Sequence, residues 1–179
     1  MKKKTFNGIL SSGIGSLWWG VIGVLYFKSV SFVSPLELTI HRTVWTAFLL
    51  IFSITFYSRW VDIFAILKNI KATLLLFLTS ILIVTNWYTW IYAVTVNKLI
   101  DAAFGYYIFP ILSVFFGILF LKESHSRMKL VSIALVIIAV VYLLIDLDTT
   151  PWIGLIVALT WSFYTLIRKK IKIPTDLGL

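Results

Sequence analysis

Ser34-Pro-Leu-Glu-Leu-Thr-Ile-His-Arg-Thr-Val-Trp45 is the stretch whose reading decides the fold. It runs on through Thr46-Ala-Phe-Leu-Leu-Ile-Phe-Ser-Ile-Thr-Phe-Tyr57 without another charge. Pro35 suits the first turn of a helix, and roughly 20 helical residues cross a hydrocarbon core. Glu37, His41 and Arg42 therefore stand inside a segment patterned to span a membrane. On a soluble helix these residues would be ordinary surface groups. Within hydrocarbon, ionisable side chains are costly and mark function.

The rest of the chain supports the membrane reading. Its 179 residues are 60% hydrophobic and 13% charged, with mean hydropathy +1.00. Soluble domains carry about 25% charged residues, so a water-soluble core is excluded. Cysteine is absent, which removes disulfides and thiolate metal sites. The pattern predicts an all-α membrane protein, a multi-span helical bundle of about six transmembrane helices. The spans fall near residues 8–27, 35–57, 72–94, 102–121, 128–145 and 152–167, with a polar, amphipathic-looking loop over 58–71. For the first run the alternative is a cleaved leader ending at Ser29-Val-Ser31. The later spans and Lys28 beside that site argue for a retained helix. Ser12, Ser16 and Gly20 recur at four-residue spacing there, a pattern that admits a close helix neighbour.

Charge placement sets the orientation. With the N-terminus cytoplasmic, Lys2, Lys3, Lys4, Arg59, Lys68, Lys71, Lys122, Arg127, Lys129, Arg168, Lys169, Lys170 and Lys172 face the cytoplasm, thirteen of the sixteen basic residues. Only Lys28 and Lys98 lie outside, and Arg42 is within a span. This is the positive-inside bias of a multi-pass protein of the cytoplasmic (inner) membrane. It also argues against a nucleic-acid partner despite the net charge of +9, because the excess is spread over every cytoplasmic segment. Trp60 and Trp152 suit an interfacial belt. Glu123, His125, Arg127 and Lys129 read as a solvated loop.

Four phrases stand in order: Ser34-Pro-Leu-Glu-Leu-Thr-Ile-His-Arg42, Asn86-Trp87 with Ile91-Tyr-Ala93, Gly105-Tyr-Tyr-Ile-Phe-Pro110, and Gly117-Ile-Leu-Phe-Leu-Lys-Glu123. They resemble the EamA-type drug/metabolite transporters and, within them, the RarD-type chloramphenicol-sensitivity permeases. The resemblance implies ten helices in two inverted five-helix repeats around a substrate cavity. Residues 1–147 would be the first repeat and 148–179 the first helix of an incomplete second one, so the chain reads as truncated. An odd number of crossings before the sixth span meets the condition for inversion. Phe109 departs from the family phrase, which usually has Asn there, and the resemblance then implies one polar cavity group fewer.

The residues themselves offer candidate substrate contacts. Glu37 and His41 are four apart and share a helix face with Trp45 and Phe48. Arg42 points about 100° away, about 10 Å below the helix start. One reading is a snorkelling arginine with Glu37 at headgroup level. The other is a polar mouth where Arg42 attracts an anionic group and His41 or Glu37 exchanges protons. Asn86 needs partners, either another helix or a solute. Trp87 and Trp90 can flank a flat ligand or simply pack. Tyr106 and Tyr107 offer hydroxyls, and Gly105 with Pro110 forms an expected kink or hinge.

No metal, cofactor or phosphate-loop signature is present, and no nucleophile–base pair points to an enzyme. The expectation is a secondary transporter of a small metabolite or drug-like solute, with ion coupling left open. Its partners are the lipid bilayer, the solute, and a homodimer mate or second-half chain that completes the cavity. The alternative is a truncated, non-transporting membrane protein acting through helix packing.

Overall fold

The computed structural model describes residues 3–122, 126–146, 151–171 and 173–178. Glu123 and His125 lie outside the described residues. Nearly everything described is helical. α1 (Lys3–Leu17) passes through a π-helical segment, Trp18–Gly23, into α2 (Val24–Ser29) without a break. Then come α3 (Pro35–Phe56), α4 (Trp60–Lys68), α5 (Ile70–Thr95), α6 (Leu99–Leu121), α7 (Arg127–Asp146), α8 (Trp152–Ile171) and the single turn α9 (Thr175–Gly178). The chain is a multi-span helical membrane protein.

Helix ends follow local chemistry. Ser34 Oγ accepts from the Glu37 N–H at 3.2 Å, with Pro35 in the first turn. Asn69 Oδ1 does the same for Ala72 at the start of α5. α3 and α5 end alike. Ser58 (φ 54°) and Asn97 (φ 58°) adopt the left-handed conformation, and the next residues, Arg59 and Lys98, donate backward to Ile54 O and Ala93 O. Within α3, Thr39, Thr43 and Thr46 each donate to the carbonyl four residues earlier, at 2.7 to 2.8 Å.

One expectation changes. The polar loop over 58–71 contains a helix, α4, because Trp60, Ile63, Phe64 and Leu67 recur at helical spacing with Asp62 in the first turn and Lys68 in the last. Of the six expected spans, four are long and apolar enough to cross a membrane by length and composition: residues 5–29, α3, α5 and α6. α7, 20 residues long, is apolar over Leu130–Ile145. In α8 the polar Thr160, Ser162, Tyr164 and Thr165 dilute the apolar run. That dilution has a structural counterpart, since α8 lies against both α5 and α6.

The core sits where these three helices meet. Gly105 of α6 and Gly154 of α8 bring the two backbones together, so closely that a Cβ on Gly105 would stand 2.5 Å from Gly154 O. Asn86 of α5 reaches α8 in the same region, and Ile91, Ala102, Ile153, Val157 and Ala158 are almost fully enclosed. α2 and α3 also pack against α5. α1 is left largely uncovered by the described chain, and a Cβ on Gly8, Gly13, Gly15 or Gly20 would meet nothing within 4 Å. The outward faces of α3 and α5 are lined by residues such as Phe48, Phe52, Phe56 and Phe77, all more than half exposed, as suits a lipid-facing surface.

Candidate functional site

Arg42 is the centre of the site. Its guanidinium lies 4.0 Å from the Trp87 ring centroid on α5 and 4.8 Å from that of Trp19 in the π-helical segment. Guanidinium stacked between indole faces is a favourable cation–π arrangement. Nη1 is enclosed and finds no hydrogen-bond acceptor among the described residues. His41 pairs with Glu37 at 4.0 Å and, at the start of α4, Arg59 with Asp62 at 3.0 Å; Arg42 joins neither pair. The guanidinium is thus turned into the helix packing rather than out along the surface of α3.

Three local features produce this placement. Arg42 lies on the flank of α3 that faces α5. The π-helical turn at 18–23 widens α1 where Trp19 stands, and such turns concentrate at functional sites. Trp19 is in turn backed by Trp90, at 4.9 Å between ring centroids, and Trp90 by Phe27 at 5.5 Å. Trp87, Arg42, Trp19, Trp90 and Phe27 therefore form one continuous stack from the site into the core. Tyr106 of α6 completes it, its hydroxyl beside the Trp19 indole N–H and within electrostatic reach of Arg42.

An open groove of about 640 Å³ runs along this stack between α2 and α3. Glu37, His41, Arg42 and Thr46 supply its polar groups, and Trp45, Tyr26 and Leu49 are among its apolar and aromatic walls. The Glu37 and His41 side chains are mostly exposed, 60% and 67%. The structure thus gathers Glu37, His41 and Arg42 in one groove, with Tyr106 adjoining from behind Trp19.

The other candidates lie elsewhere. Trp90 is buried in the core behind Trp19. Asn86 is buried too, and its side-chain nitrogen donates to Val157 O and Thr160 Oγ1 of α8, both at 3.0 Å. Tyr107 opens onto a different face, lining an apolar hollow with Leu135, Ala139 and Tyr142 of α7. Gly105 sits at the α6–α8 crossing, and α6 stays helical from Leu99 to Leu121 through Pro110. Trp19 was not among the sequence candidates. A tryptophan in mid-span, away from the interfacial belt, was the available signal.

The EamA-like transporter family matches residues 6–145 of this chain. The chain belongs to that family, and it is a transporter-family protein rather than an enzyme. Within the family it is RarD-like. It is 31% identical over 177 residues to Protein RarD of Salmonella typhi, covering 99% of this chain and 60% of that protein. An uncharacterized transporter of Vibrio cholerae is 35% identical over 173 residues, covering 97% of this chain and 57% of the relative. The uncharacterized transporter YojE of Bacillus subtilis is 32% identical over 179 residues, 98% of this chain and 60% of the relative. The chain therefore spans 57–60% of the length of these relatives. No solved structure matches it.

Proposed function

We propose that the chain forms a wall of a secondary transporter that carries a small metabolite or drug-like solute across the cytoplasmic membrane, passing along the groove beside Arg42. The observation that carries this reading is an arginine held between Trp19 and Trp87, inside the spans, lining an open groove. A charge in hydrocarbon is retained where a pathway or partner uses it. Glu37, His41 and Tyr106 serve as further contacts. The family match ending at residue 145 supports division into a first five-helix repeat over 1–147 and the opening of a second at 148–179. The basic cytoplasmic segments support an inner-membrane protein with its N-terminus inside.

The test compares metabolite profiles of cells with no transporter, with the unaltered protein, and with Arg42→Ala, at matched amounts in the membrane. A solute whose flux follows the unaltered protein and returns to background in the variant is the expected result. Equal profiles from R42A and the parent would defeat the reading. Once a solute is found, loss of its uptake with an uncoupler identifies ion-driven transport, and persistence identifies facilitated passage or exchange.

A further inference from the structure

We infer that the Arg42 groove selects singly charged organic anions with a flat apolar body, monocarboxylates of aryl type being the simplest case. This names a solute class for the site proposed above and rests on that reading.

The charge follows from the guanidinium's surroundings. Among the described residues no carboxylate lies within 4.0 Å of it, and Nη1 has no acceptor. A buried charge without a counter-charge or full hydrogen bonding is strongly disfavoured. The Trp19 and Trp87 rings, 4.8 and 4.0 Å from the guanidinium, offset part of that cost. These rings accept no N–H···O bond, and a guanidinium with an unmet Nη1 donor suits a carboxylate, which takes paired N–H···O bonds.

The number of charges follows from the rest of the groove. Among the described residues that line it, Arg42 is the only Lys or Arg, so a polyphosphate or dicarboxylate would leave charge uncompensated. Glu37 stands in the same groove, beside His41 at 4.0 Å, and its carboxylate repels a second negative group. The ligand's body meets Trp45, Tyr26, Phe27, Leu38 and Leu49, which offer ring faces and apolar surface.

The experiment uses the full chain in nanodiscs of phosphatidylcholine, titrated with benzoate, the neutral isostere benzamide and the dianion phthalate, with heat and tryptophan fluorescence as readouts. Benzoate is expected to bind saturably and at least tenfold tighter than benzamide, with phthalate weaker than benzoate. R42A should erase the preference for benzoate over benzamide. Arg42→Lys, which keeps the charge but not the fork, should retain it in part and covers the case in which R42A does not fold. Glu37→Gln should narrow the gap between phthalate and benzoate. Equal binding of benzoate and benzamide, or benzoate binding indifferent to both Arg42 variants, overturns the proposal. So does loss of benzoate binding in discs containing phosphatidylglycerol, which would assign the groove to a lipid headgroup. The two readings fail separately. If a neutral solute's flux depends on Arg42 while benzoate never binds, the anion class falls and transport stands. If benzoate binds through Arg42 but no flux depends on that residue, transport falls and the anion site stands.

Discussion

Gly105→Ala tests the contact on which the three-helix core turns. The added Cβ would lie 2.5 Å from Gly154 O and 3.1 Å from Gly154 Cα, whereas ordinary contact begins near 3.4 Å. The obstacle is backbone on a facing helix, so no side chain can swing away, and α6 and α8 must part by about 1 Å. A gap of that size forfeits about a quarter to a half of each dispersion contact along the crossing. Overpacking of this kind costs about 1–3 kcal/mol. Alanine's better helix propensity returns about 0.8–1 kcal/mol. The net expectation is a destabilisation of up to about 2 kcal/mol, or a Tm lower by up to about 4–8 °C for a chain of this size, and about 1–3 kcal/mol below a Gly→Ala change in open space. Thermal unfolding in detergent, followed by tryptophan fluorescence, measures it. Gly13→Ala and Gly15→Ala are internal controls. Their new methyl groups meet nothing within 4 Å, so propensity alone acts and Tm should hold or rise. If G105A were as stable as those controls, the backbones would not touch there, and the reasoning that places α8 at the centre would fail.

Four further outcomes follow. Asn86→Leu removes the bonds to Val157 O and Thr160 Oγ1. Interhelical hydrogen bonds in membranes average about 0.6 kcal/mol each, so a loss of about 1 kcal/mol should appear in the same unfolding assay. Trp87→Leu removes one face of the guanidinium clamp, at a cost of about 0.5–2 kcal/mol. Its effect should be absent in an R42A background, which a double-mutant cycle reads directly. Ser34→Ala deletes the cap on α3 and should cost about 1 kcal/mol while leaving helix content in circular dichroism nearly unchanged. The chain has no cysteine, so single cysteines report topology cleanly. Impermeant maleimide added to intact cells should label Ser31→Cys and not Ser58→Cys, and the reverse pattern would invert the orientation.

The membrane class was legible because it depends on sums along the chain. Total apolar content, run length and the side on which lysines fall need no knowledge of neighbours. The cap at Ser34-Pro35 and the placing of Glu37, His41 and Arg42 on α3 were equally local. α4 was missed as a helix because a short amphipathic run flanked by polar residues reads alike as loop or helix. α8 was expected as a helix, and its hydroxyl-bearing residues match its position between α5 and α6.

What the sequence alone determined is therefore the class of protein, the long apolar helices and the presence of a charge where hydrocarbon should be. Only the tertiary structure decided that Arg42 lies between Trp19 and Trp87, that Trp90 backs the stack, that Asn86 ties α5 to α8, and that Tyr106 and Tyr107 look onto different faces. The residues of the Arg42 clamp come from three helices, with Trp19 and Trp87 separated by 68 positions. Hydropathy and helical period fix which face of a helix is oily. They carry no information on which of several oily, aromatic faces will meet, because that choice depends on shape, above all on the glycine pair that lets α6 and α8 touch.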